Sequence, residues 1–101
     1  MSKMIASQPV SGPPAERLER IRARLAPLAA ECLEITDESH LHAGHPGAAD
    51  GRGHVHLLIV TAAFDGLDRL TRERLVHRLL GDLLTTELHA VRMNLYASDE
   101  L

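Results

Sequence analysis

Apolar residues in the first part of the chain follow a helical spacing and then change to the spacing of a strand. Four of them recur at three- and four-residue steps after Pro14, which is typical of the buried stripe of a helix. These are Leu18, Ile21, Leu25 and Leu28. Pro14 suits the first helical position, and Pro27 disfavours a continuation of the helix. Leu33 and Ile35 then alternate with polar residues, which predicts a short half-buried strand over 32–37.

The second half of the chain predicts a buried strand, a helix and a last strand. Residues 54–61 are mostly apolar and branched, which favours a strand that is buried on much of both faces. We expect it to pair with the first strand as a hairpin across a glycine-rich loop, 38–53. Asp68 can cap a helix predicted over 70–84, whose charged side is expected to face solvent. Residues 89–96 alternate again and predict the third strand.

These elements predict an α+β fold in which helices pack on one face of a three-stranded sheet. The order is α-β-β-α-α-β when a short helical turn near 64–68 is counted. The folded domain is predicted over 15–96. Residues 1–14 contain three prolines and no periodic pattern, so they are expected to form a flexible tail, and 97–101 a C-terminal tail.

Length and charge narrow the class of protein. The chain has 101 residues, which suits one domain. Its 11 basic and 14 acidic residues give a net charge of −3, which argues against a broadly basic nucleic-acid binder or a polybasic membrane protein. No apolar run approaches the ~20 residues of a membrane helix. The N-terminus has no secretory pattern, so a cytoplasmic location is expected. No nucleophile elbow or phosphate loop is present, so we expect no enzymatic activity.

The side chains that suit metal binding are one cysteine and seven histidines. Cys32 alone excludes a disulfide within the chain and any zinc or iron–sulfur site built only from its own cysteines. The histidines are His40, His42, His45, His54, His56, His77 and His89. Imidazole binds iron, zinc, copper and nickel, but these spacings match no strong zinc signature. Two interpretations stay open, metal ligands or solvated and structural residues, and His56 and His77 favour the second.

Arginines of the predicted second helix are the candidate nucleic-acid contacts. Between residues 69 and 78, four arginines against one glutamate give a local charge of +3. The arginines are Arg69, Arg72, Arg74 and Arg78. Such a helix face can contact phosphates, and the alternative is an ordinary solvated surface.

Five segments of the chain resemble the BolA family, in the family's order and spacing from about residue 15 to 96. They are residues 33–45, 53–55, 60–67, 72–76 and 88–91. The resemblance implies an α-β-β-α-α-β fold related to one KH topology but without the KH nucleic-acid clamp. It also implies a small partner of monothiol glutaredoxins.

In such complexes a [2Fe–2S] cluster bridges the two proteins, and the glutaredoxin and glutathione each supply a thiolate. The resemblance implies that the BolA-like side supplies histidines, and the matching positions are His89 and His42. No cluster is expected in the isolated chain, which we expect to be monomeric. Two imidazoles in place of two thiolates raise the reduction potential of such a cluster, and ligation requires that they be unprotonated.

The chain departs from the family at Glu73, where the family commonly has histidine between two arginines, and at Val55, where it has phenylalanine. His40 and His45 leave the identity of the loop ligand open. The alternative function is a DNA-binding transcriptional regulator of stress response or morphology. It would act through Arg72, Arg74 and Arg78. A third hypothesis is storage of zinc or copper by the histidine loop.

Overall fold

The computed structural model describes residues 14–38 and 53–100, and its elements follow the predicted order. The helices and strands are α1 (Pro14–Leu25), β1 (Cys32–Asp37), β2 (Gly53–Val60), α2 (Arg69–Leu80), α3 (Leu83–Thr86) and β3 (Leu88–Tyr96). Short 3-10 turns, Ala26–Leu28, Ala62–Phe64 and Ser98–Glu100, follow α1, β2 and β3. The α+β class and the three strands are therefore confirmed.

The sheet has the order β1-β2-β3, with β2 in the centre. β1 and β2 pair antiparallel, as the predicted hairpin requires. β2 and β3 pair parallel, and a parallel pair needs a long crossover connection. The chain makes that crossover with α2 and α3.

Helices cover one face of the sheet. On that face every second residue of β2 is apolar and is buried against the helices. Val55, Leu57 and Ile59 are at most 1% exposed. They pack with apolar residues of both long helices and of the turn after β2. These residues are Ile21, Leu25, Phe64, Val76 and Leu80. The intervening residues of β2 are half-buried on the second face of the sheet, which the described helices leave open. The helix-on-one-face architecture is confirmed.

The predicted single helix over 70–84 is wrong, because Gly81 divides it. Gly81 has φ +54, a value that glycine adopts readily, and its N–H donates to the carbonyl of His77. The second helix of the α-α pair is therefore α3, whereas the region near 64–68 contributes only a 3-10 turn. Asp68 caps α2 as predicted, since its Oδ1 accepts from the Thr71 N–H at 2.9 Å.

Residues 97–100, within the predicted C-terminal tail, pack onto the domain. Ala97 is 2% exposed and belongs to the core. Its N–H donates to Glu100 at 2.9 Å, and Ser98 donates to Glu31 at 2.6 Å. No helix within residues 14–38 and 53–100 has both the length and the apolar character to cross a membrane.

Arg17 lies in the interior, although the helical pattern predicts it on the charged side of α1. It is 7% exposed, and its Nη1 lies 3.3 Å from Asp37 Oδ2 at the end of β1. The side chain passes directly over Gly53, where a Cβ would lie 2.4 Å from Arg17 Nη1. The helix is thereby joined to the last residue of β1 and the first residue of β2.

We predict that Gly53→Ala destabilises the protein by displacing Arg17 from Asp37. The atoms that the new Cβ meets belong to the end of a side chain, so the arginine moves and its contact with the Asp37 carboxylate, whose side chain is 11% exposed, is lost. The expected loss in the free energy of unfolding is about 1–3 kcal/mol by urea denaturation. In an Arg17→Ala background the same substitution is expected to cost much less. Equal costs in the two backgrounds would contradict this mechanism.

Candidate functional site

His89 is the extra residue of a β-bulge at the start of β3. Gly53 pairs with Leu88, but the next pair is His54 with Ala90, so His89 has no residue opposite it. Its side chain is exposed.

The bulge follows from the spacing of apolar residues in β3. Leu88 is 1% exposed, and Val91 packs against the same core. Leu88 and Val91 are three positions apart, an odd spacing that the two-residue alternation of a regular strand cannot accommodate. One additional residue between them restores the alternation, and that residue is followed by the regular outward positions Ala90 and Arg92.

His54 lies beside His89, although the family resemblance implies only His89 and His42 as ligands. It is half-buried on the open face of the sheet. The two ring centroids are 5.1 Å apart, with an angle of 53° between the planes. The β-bulge brings these rings together through pairing between segments that are distant in sequence. The spacing of His54 and His56 along one strand therefore does not predict this contact.

The described residues supply two imidazoles at this point. Within residues 14–38 and 53–100, no group of three or more histidine, cysteine or acidic side chains is arranged to hold a metal ion. Cys32 is opposite Val60, six residues along β2 from His54, which is about 20 Å at the rise of a strand. The chain's own thiol is therefore far from the histidine pair, and any thiolate bound beside that pair would have to come from another molecule.

His42, the predicted loop ligand, lies outside the described residues, and so do His40 and His45. Glu38, the last described residue before these histidines, contacts His54. Its N–H donates to the His54 carbonyl at 2.7 Å. The predicted ligand is thus only four residues along the chain from a backbone contact with His54.

The remaining histidines agree with their structural or solvated interpretation. A hydrogen bond joins His56 Nε2 to Asn94 Oδ1 on the neighbouring strand. His77 is exposed in the last turn of α2.

Arg72 does not lie on the solvent side of α2, and that expectation is wrong. It is 9% exposed, and its guanidinium lies 5.7 Å from the centre of the Phe64 ring. It donates to the carbonyls of Leu67 and Leu95, at 2.9 and 3.2 Å. Two further bonds, at 2.7 and 2.9 Å, reach the carboxylate of Glu100. Arg74 and Arg78 are exposed, so they stay the predicted nucleic-acid contacts.

A cavity of about 480 Å³ lies beside Arg72, between the start of α2 and the end of β3. Met93, Tyr96 and Glu100 are among its lining residues, and neither His54 nor His89 is. The cavity is therefore separate from the histidine pair, which lies at the opposite end of β3.

Comparison with known proteins identifies this small α+β domain. The family model of the BolA-like proteins matches residues 24–100, so the chain belongs to the BolA-like family. The solved structure of the BolA domain of SufE1 from Arabidopsis thaliana superposes with a TM-score of 0.73 at 39% identity. That match covers 82% of this chain and 93% of the other.

Two curated relatives carry informative names. The chain is 38% identical over 76 residues to chloroplastic BOLA1 of Arabidopsis thaliana, which covers 72% of this chain and 46% of that protein. It is 31% identical over 68 residues to a Haemophilus influenzae protein named DNA-binding transcriptional regulator BolA, which covers 67% of this chain and 63% of the other. The chain thus spans about half the length of the chloroplastic relative.

We predict that the Arg72–Glu100 pair makes stability fall at low pH. The hydrogen bonds from Arg72 lower the pKa of Glu100 from 4.5 to about 2. Because the folded-state pKa is depressed, the stabilisation is present above the ordinary pKa and is lost as the pH falls toward 2. Urea denaturation over this range should show a smaller decline for Glu100→Gln than for the unmodified chain. Identical declines would contradict a role for this pair.

Proposed function

We propose that the chain is a non-enzymatic adaptor that binds a monothiol glutaredoxin and co-ligates a bridging [2Fe–2S] cluster, as cargo or as an iron or redox signal. The observation that carries this proposal is the contact between His54 and His89 at an exposed bulge. His89 is one ligand. The second is His42, which matches the family's loop ligand, or His54, whose ring the fold holds beside His89.

The division of ligands supports a shared site. A [2Fe–2S] cluster needs four protein or small-molecule ligands, most often thiolates. Residues 14–38 and 53–100 offer two imidazoles together and one distant thiol, and Cys32 is the only cysteine of the sequence, so thiolate ligands beside this pair would come from a partner. A glutaredoxin cysteine and glutathione supply two thiolates, which completes the set.

The position of the pair also suits docking. His89 is exposed because the bulge projects it from the ladder, and His54 lies on the face of the sheet that the described helices leave uncovered. Among residues 14–38 and 53–100, no helix lies between a partner and either ring.

We predict that single histidine variants separate the ligands. The assay mixes each chain with cluster-loaded glutaredoxin and records visible circular dichroism, which reports the surroundings of the cluster. His89→Ala should abolish the heterodimer spectrum. If His42 is the second ligand, His42→Ala should alter the heterodimer spectrum, and if His54 is, His54→Ala should alter it. Association of the cluster-free proteins should persist in either variant.

His77→Ala is the matched control, since His77 is exposed on α2, away from β2 and β3, and should leave the spectrum unchanged. An unmodified chain that causes no change in the glutaredoxin spectrum would contradict the proposed function.

A second candidate function is DNA binding, which the name of the Haemophilus influenzae relative and the exposed Arg74 and Arg78 favour. The structure weakens the charge of this face, because Arg72 is committed to Glu100 and Arg69 pairs with Glu73 at 3.1 Å. Two arginines remain as the main phosphate contacts on α2.

We predict that any DNA binding depends on Arg74 and Arg78 and falls with salt. Each phosphate contact contributes about −0.9 to the slope of log K against log salt. The double variant Arg74→Ala/Arg78→Ala should therefore reduce the slope by about 2 in fluorescence-anisotropy titrations. Binding that is absent at low salt, or that does not vary with salt, would exclude this function.

A further inference from the structure

We propose that Arg92 and Glu38 form a strap across the open face of the sheet that positions His89 beside His54. This proposal rests on the proposed function for its biological meaning, but the contact itself belongs to the chain alone. Arg92 and Glu38 are positioning residues and are not proposed to bind the cluster.

The strap joins the two outer strands. Glu38 follows the last residue of β1, and Arg92 lies on β3, opposite His56 of the central strand. The backbones of the outer strands are about 10 Å apart, so the two side chains must meet above β2. Arg92 Nη2 donates to Glu38 Oε2 at 2.8 Å and Nε to Oε1 at 3.2 Å.

The two-bond geometry makes this contact stronger than an ordinary surface ion pair. A guanidinium that donates two parallel bonds to one carboxylate fixes the relative orientation of both groups. The Glu38 side chain is only 15% exposed, whereas that of Arg92 is 65% exposed.

The strap lies close to the interruption in the ladder between β2 and β3. β3 is an edge strand that pairs only with β2 among the described strands. Its pairing is interrupted at the bulge, so the backbone bonds that hold a regular strand are reduced next to His89. Three residues further along β3, the side chain of Arg92 joins this strand to Glu38 at the end of β1.

Glu38 is also coupled directly to the other histidine. Its N–H donates to the His54 carbonyl at 2.7 Å, while its carboxylate holds β3 through Arg92. Glu38 therefore contacts the backbone of His54 and, through Arg92, the strand that carries His89. We infer that this double attachment determines the separation of the two rings.

The first test uses the isolated chain, so it does not depend on a partner. Nuclear magnetic resonance cross-peaks between the ring protons of His54 and His89 report their contact. Arg92→Ala should lose or strongly weaken these cross-peaks, with little change in the urea midpoint. Arg78→Ala removes an exposed arginine for which no ion pair is seen within residues 14–38 and 53–100, and it should have no effect on them.

Rescue distinguishes positioning from a general structural effect. The exchange Glu38→Arg/Arg92→Glu should restore the cross-peaks, and Arg92→Lys, which keeps the charge but not the two-bond geometry, should give an intermediate result. Cross-peaks in Arg92→Ala that equal those of the unmodified chain would overturn the proposal. So would an exchange variant that folds but restores nothing, because the pair would then not be the cause.

The second test adds cluster-loaded glutaredoxin. Arg92→Ala should weaken formation of the bridged heterodimer about three- to tenfold, and the exchange variant should recover it. Full affinity in Arg92→Ala, despite lost cross-peaks, would overturn the role of the strap in ligation. If the unmodified chain forms no heterodimer, the proposed function fails, and the ring contact in the isolated chain still decides whether the strap exists.

Discussion

The register of β2 is the constraint on which the rest of the structure depends. A strand has a two-residue repeat, so a shift by one residue would turn Val55, Leu57 and Ile59 out of the core and bring His54 and His56 into it. Burial of these three side chains against both long helices therefore permits a single register. The same register directs His54 to the open face, and it forces the bulge in β3 that exposes His89. The candidate site is thus a consequence of how the core packs.

Local patterns predicted most elements because their cause is local. The apolar stripe of α1, the alternation in β1 and β3 and the cap at Asp68 all depend on residues within a few positions of one another. The division of the helix at Gly81 was also visible, since a glycine near the end of a helical pattern is a common stop signal. The continued leucine stripe through 83 and 84 obscured it.

The errors concern side chains whose partners are distant in sequence. Arg17 meets Asp37 twenty residues later, and Arg72 meets Glu100 twenty-eight residues later. Periodicity places an arginine on a face of its helix, but it does not state whether another segment supplies a carboxylate that makes burial tolerable. The approach of His54 to His89 belongs to the same class, because it requires a parallel pairing and its irregularity. The spacing of Leu88 and Val91 contained the signal for that bulge.

Arg72 also has a consequence for the outer edge of β3, the edge strand among the described residues. The carbonyl of Tyr96 accepts from the Thr61 N–H, on the side of β2. Because successive carbonyls of a strand point in opposite directions, that of Leu95 points away from the sheet, and there it accepts from Arg72. An edge strand with unpaired backbone groups is a template for pairing with another chain. A buried guanidinium held by Glu100 occupies one of these groups, and it blocks the addition of a fourth strand at this end of β3.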